Sequence, residues 1–311
     1  MLRPIDEEVV TWLMAGDVSI RYQAERDLLH KERPAQRRRI ESEGWGKRFL
    51  SLRKSNGAWG KGFYQPKWTS THYTLLDLKN LGIRPENRPI AQTLARIFES
   101  QKAQDGGIKP IGREQKSDVC VNGMVLNYSC YFGVNAQALK SVVDFLLSQQ
   151  MGDGGFNCHS NRKGATHSSL HSTVSVLEGI LEYKKNGYRY RLSDLSKARK
   201  ESEEFILRHR LFRSHRTGKI IDPRFLQLHY PTRWHYDILR ALDYFRAAGA
   251  RYDHRMDDAL QVIVDQQTPE GRWKLAAQYP GLMHFEMERA GQPSRWNTLR
   301  ALRVLRHFKI G

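Results

Sequence analysis

The chain has 311 residues, three cysteines and 51 Lys or Arg against 33 Asp or Glu, a formal net charge of +18. That length buries a large core without disulfides, and an odd cysteine count with no secretory apolar segment points to a soluble protein in a reducing cytoplasmic setting. No apolar run approaches the roughly 18 residues of a membrane span. The charge attracts anions, which leaves nucleic acid, an acidic membrane surface or a diphosphate or other anionic small molecule open as partners, and no recognisable nucleic-acid motif supports a specific nucleic acid.

In chain order, residues 6–14 read as a helix with Asp6, Glu7 and Glu8 in its first turn, broken at Ala15-Gly16. Further helices are predicted over 19–29, 34–53, 69–81, 88–102, 117–132, 135–149, 168–184 and 192–210. Pro34 suits the first turn of the third. After a long loop over 212–231 come helices at 233–247, 254–267 and 294–308, which makes about twelve. No convincing alternating strand lies between them, so a sheet-based fold is excluded.

Two landmarks repeat along the chain. Arg21-Tyr22-Gln23, His72-Tyr73-Thr74, Cys120-Val121-Asn122, His171-Ser172-Thr173, His235-Tyr236-Asp237 and Arg295-Trp296-Asn297 each open an apolar helical run, at successive offsets of 51, 48, 51, 64 and 60 residues. Between them lie the turns Asn56-Gly57-Ala58-Trp59, Asp105-Gly106-Gly107-Ile108, Asp153-Gly154-Gly155-Phe156 and Glu270-Gly271-Arg272-Trp273, with Thr217-Gly218-Lys219-Ile220 a degenerate copy. Glycine ends a helix there, the aromatic pins the turn to the next repeat, and Gln101, Gln149 and Gln266 stand ready to bond orphan carbonyls.

One helix pair cannot bury both its faces, so neighbouring pairs stack. The expected fold is all-α: an (α/α)6 toroid forming a single domain over 1–311, with an inner ring of the six signature-bearing helices and an outer ring of six, completed by helix 6–14. An open superhelical solenoid is the alternative. The polar signature residues would then converge on one central cavity.

These turns resemble the QW-type repeats of squalene-hopene cyclases and the related repeats of protein prenyltransferase β subunits. The resemblance covers nearly the whole chain and implies the toroid, with isoprenoid chains handled in its centre. It further implies a zinc ion held by Asp118, Cys120 and His171, with Arg113 and Lys116 ahead of them facing a diphosphate. His72 and Tyr73 resemble a diphosphate-site His and its downstream Tyr-Thr. The ligand types suit a catalytic zinc with an open fourth position, which would activate a bound thiol.

The chain lacks the cyclases' Asp-x-Asp-Asp acid. Asp237, two residues past His235, is the inner-face carboxylate able to serve as an acid if buried, and Asp118 and Asp237 are the two carboxylates a carbohydrate-active toroid could pair. Tyr22, Tyr73, Trp234, Tyr236 and Trp296 are candidates to line the cavity, where their faces would stabilise a carbocation. Arg21 and Arg295, on the first and last inner helices, could clamp an anion where the ring closes. The expected function is a terpene cyclase or prenyltransferase-like protein acting on an isoprenoid diphosphate or polyprene. The alternative is a toroid that binds a ligand or a protein partner without chemistry.

Overall fold

A computed structural model describes residues 6–110, 116–161 and 163–310. Thirteen α-helices dominate the described residues, and the extended structure includes one antiparallel pair of two-residue strands, Trp273–Lys274 with Pro293–Ser294. Six helices form the inner ring: α2 (Val18–Asp27), α5 (Thr71–Leu81), α7 (Val119–Tyr131), α9 (Leu170–Lys185), α11 (Ile238–Ala247) and α13 (Arg295–Phe308). From α5 onward each packs on the next in chain order, and α13 returns to α2. Arg303 of α13 bonds Asp27 of α2 at 3.0 Å, and Gln23 of α2 donates to the Asn80 carbonyl of α5 at 2.8 Å. The ring is therefore closed, a toroid and not an open solenoid.

The outer helices are α1 (Glu7–Met14), α3 (Pro34–Arg39), α4 (Gly44–Ser51), α6 (Arg88–Ser100), α8 (Ala136–Ser148), α10 (Leu192–Arg208) and α12 (Asp257–Asp265). The expected helix over 34–53 is thus two helices. Gly44 breaks it with φ +57°, and a Cβ there would stand 2.0 Å from the Asp17 carboxylate, which accepts the Trp45 amide at 2.8 Å. The helix expected from 233 starts at Ile238, because Arg233 sits at positive φ and Asp237 caps the helix by accepting the Arg240 amide at 2.6 Å. Between α7 and α9 the backbones nearly touch: a Cβ on Gly179 would lie 2.4 Å from the Gly123 carbonyl oxygen.

The repeated residues turn out to be staples of the wall. The amide that follows each glycine turn donates to a polar side chain of the inner helix: Trp59 to Thr71, Phe156 to Thr173 and Trp273 to Thr298, each at 3.0 Å, and Ile108 to Asn122 at 2.7 Å. This geometry corrects the sequence register at two repeats, since Thr71 and Thr298 play the part assigned to Thr74 and Asn297. The acidic turn residue has its own partner. Asp105 accepts the amide and hydroxyl of Ser117, both at 2.7 Å, and Asp153 accepts the amide of Ser168 at 2.8 Å and its hydroxyl at 2.5 Å. Gln101 and Gln149 donate to the adjacent Ser100 and Ser148 hydroxyls, and Gln149 also accepts from Ser160, whereas Gln266 does reach a carbonyl, that of Leu226 at 2.9 Å. The buried indoles of Trp59 and Trp273 donate back to the preceding outer helix, to Phe49 and Ile263, each at 2.7 Å.

Candidate functional site

At the end of the ring where the inner helices begin, side chains of the protein fill the space. His72 is wholly buried, with its Nδ1 3.1 Å from the Tyr128 hydroxyl and its Nε2 without a partner; burial lowers its pKa to about 3. Tyr73 shares a 3.1 Å hydrogen bond with Tyr64 and meets the Trp68 ring edge-on. His235 lies flat between Trp234 and Tyr279, with ring centroids 3.7 and 3.5 Å away, and burial lowers its pKa to about 3. The Trp68 indole donates to the Pro280 carbonyl at 2.7 Å, and His284 meets the Thr74 hydroxyl at 2.9 Å, so segments 60–69 and 276–288 together stopper this mouth.

The other sequence candidates are dispersed around the same end. Tyr22 bonds Glu32 and the Tyr236 hydroxyl donates to the Leu211 carbonyl. Arg21 lies 3.9 Å from Glu43, and Arg295 donates to the Trp12 carbonyl while stacking on its ring, so neither lines the central cavity. Lys116 is exposed and donates to the Asn161 carbonyl; Arg113 lies outside the described residues. His171 Nδ1 accepts the Tyr236 amide at 2.8 Å, and burial lowers its pKa to about 4. Cys120 pairs instead with Cys158, whose sulfur accepts the Cys120 amide at 3.0 Å. No three His, Cys, Asp or Glu side chains among the described residues gather in an arrangement able to hold a metal. Asp118, Cys120 and His171 form no such cluster.

The open cavity, about 450 Å³, lies at the opposite end of the ring, where the inner helices finish. Eight Lys or Arg and four Asp or Glu line it. On its walls Arg240 of α11 grips Glu178 of α9 through two hydrogen bonds of 2.8 and 2.7 Å, and Lys79 of α5 meets Glu182 of α9 at 3.1 Å. Asp243 of α11 accepts from Arg246 at 2.7 Å and from Arg303; these guanidiniums override the burial cost and hold its carboxyl well below the ordinary range. Glu182 is likewise lowered, its burial outweighed by Lys79 and Lys185.

Two more buried carboxyls stand behind the walls. Asp77 pairs with Arg233, and Asp237 has Arg300 at 4.0 Å and one oxygen with no hydrogen bond; burial raises both pKa values. Even with both ionised, eight cations face six carboxylates. The surplus has an address. Arg300, 5% exposed, makes one hydrogen bond among the described residues, at 3.3 Å to the His229 carbonyl, and only looser ion pairs, 3.7 Å from Asp243 and 4.0 Å from Asp237. Lys185 at the rim forms no ion pair among them, and the Trp296 indole N–H, also on the cavity wall, has no acceptor. Among the described sequence candidates, Trp296 is the one that the structure places on this cavity.

Sequence reasoning passed over the charged lining. Its signal was available: Glu178 and Glu182, Arg240 and Asp243, and Arg300 and Arg303 recur at i, i+3 or i+4 inside helices that are otherwise buried all round. Charges spaced that way on an inner helix must face water or one another, and a hollow in the ring offers both.

No family model matches the chain, and no curated protein matches it. Among solved structures, a polysaccharide lyase is similar at 12% identity and a TM-score of 0.55, with 96% of each chain covered. Two variants of the type II terpene cyclase MstE from Scytonema, in complex with geranylgeranyl dihydroxybenzoate, are similar at 13% identity. One has a TM-score of 0.48 over 93% of this chain and 86% of that one; the other has 0.47 over 94% and 87%. At such identity the likeness to the lyase is one of fold alone, and what this chain has in common with it is the helical toroid.

Proposed function

We propose that the protein is a toroid that binds a small molecule bearing several negative charges in the cavity where the inner helices end. The observation that carries this reading is the excess of cations lining a cavity of about 450 Å³, within the size range of small-molecule sites. Arg300, held by one hydrogen bond and two looser ion pairs, has further donors to offer at the wall, and Lys185 supplies charge at the rim. Against the buried wall of the cavity a charge-assisted hydrogen bond is stronger than in water. An isoprenoid diphosphate fits this reading through its head, because the aromatic half of the ring that would hold a hydrocarbon tail is packed by Tyr64, Trp68, His235 and Tyr279. Binding, and not turnover, is what the geometry supports.

Calorimetric titration of the full chain tests it, with inorganic pyrophosphate as the polyanion and inorganic phosphate as the smaller control. Saturable binding of pyrophosphate that weakens as salt is raised is the expected result. Equal, non-saturating heats from both anions would overturn the reading.

A further inference from the structure

We propose that Cys120 and Cys158 are a reversible dithiol couple on the stoppered face of the toroid. Cys120 is the second residue of α7, and Cys158 lies in the segment between α8 and α9, 38 residues away in sequence. Both are free thiols and half-buried, whereas Cys130, the third cysteine, is buried. The Cys158 sulfur accepts the Cys120 amide at 3.0 Å and the Ser172 hydroxyl at 3.3 Å, and the Cys158 amide in turn donates to Ser172 at 3.1 Å. The two side chains also meet directly, thiol to thiol, so the sulfurs are neighbours. Two donors on a single sulfur also mark Cys158 as the attacking thiolate, in the way that helix-start amides activate cysteines elsewhere.

The couple needs a two-electron oxidant, for which a small disulfide serves. Cys158 thiolate attacks one sulfur of glutathione disulfide, forming a mixed disulfide and releasing one glutathione thiolate. Cys120, deprotonated to solvent, then attacks the Cys158 sulfur and expels the second glutathione. Two S–H bonds are lost on the protein, one S–S bond forms, and the two electrons leave in two molecules of reduced glutathione. The bond would tie the 149–169 segment to the start of α7, next to Tyr64 and Tyr73 in the stopper.

The test equilibrates the full chain, with a chelator present, against glutathione buffers of graded ratio. Samples are acid-quenched for intact mass, thiol count and peptide mapping. The expected result is loss of two of the three thiols, a cross-linked peptide pair joining Cys120 to Cys158, and an unmodified Cys130. Cys120→Ser should convert that product into a lasting glutathione adduct on Cys158. The proposal is overturned if the wild-type chain keeps both thiols at every ratio while the urea-unfolded chain oxidises, or if it accumulates the adduct on Cys158 with Cys120 still reduced. The wild-type mapping decides the matter by itself should the serine variant not fold.

Discussion

Arg240 on α11 and Glu178 on α9 are joined across the ring by two parallel hydrogen bonds of 2.8 and 2.7 Å, with the arginine side chain only 4% exposed. The pair ties adjacent inner helices at the level of the cavity. Removing one partner strands a charge in a place where water cannot compensate it. Glu178→Ala is therefore expected to cost about 3 kcal/mol of unfolding free energy, and Glu178→Gln less, since the amide keeps an acceptor. Urea unfolding of the two variants checks this, and equal losses below about 1 kcal/mol would show that the pair is solvated.

Anion binding should depend on the loosely held cations, Arg300 and Lys185, more than on the tightly bonded ones. Arg300→Gln and Lys185→Ala are expected to weaken pyrophosphate binding, Arg300→Gln by roughly ten- to a hundredfold, as befits a charge-assisted hydrogen bond of about 1.5–3 kcal/mol. Arg39→Gln, whose side chain sits with Glu43 on the outer surface, should leave affinity unchanged. The same titration reads all three, and an Arg39 variant as weak as the Arg300 variant would reduce the effect to overall charge.

The turn carboxylates should matter to the fold alone. Asp153→Ala removes two acceptor contacts to Ser168, and the hydrogen bonds from that serine hold the Asp153 carboxyl below its ordinary range despite its partial burial. The expected loss is about 1–2 kcal/mol, and Asp105→Ala should match it because Asp105 holds Ser117 in the same way. Thermal unfolding measures both; pyrophosphate affinity should not move.

Acid should find the buried histidines. His72 has a folded-state pKa of about 3 because burial penalises its imidazolium, against 6.5 when unfolded. Between those values the unfolded chain binds a proton that the folded chain refuses, so this contribution is complete above pH 6.5 and is lost as pH falls. Linkage sets the slope at about 1.4 kcal/mol per pH unit for one such group. Asp77 and Asp237, with raised values, act in the opposite sense, so the difference between wild type and His72→Gln is the quantity to follow. From pH 7 to 5 the wild type should lose stability more steeply than the variant; parallel curves would show that His72 takes up its proton within the fold.

How much of this was legible beforehand follows from what each residue does. The period of about fifty residues, the Gly-aromatic turns and the apolar helices determined an all-α ring, because turn chemistry and helical spacing are local properties that survive without knowledge of neighbours. The same repetition has a structural cause. His72, Cys120, His171 and His235 recur because every repeat must begin its inner helix in the same way, and the polar residues beside them bond the preceding turn's main chain, as Thr173 does for Phe156.

Only the folded ring decided which end is hollow. Segments 60–69 and 276–288 converge on the starting ends of the inner helices from opposite sides of the sequence, and their aromatics fill that mouth. Among the described residues the finishing ends have no such stopper, so Lys79, Glu182, Arg240 and Arg300 face a common cavity. Charges from five helices acquire a shared partner through closure of the ring, and that juxtaposition is a property of three-dimensional packing that no single stretch of the chain carries.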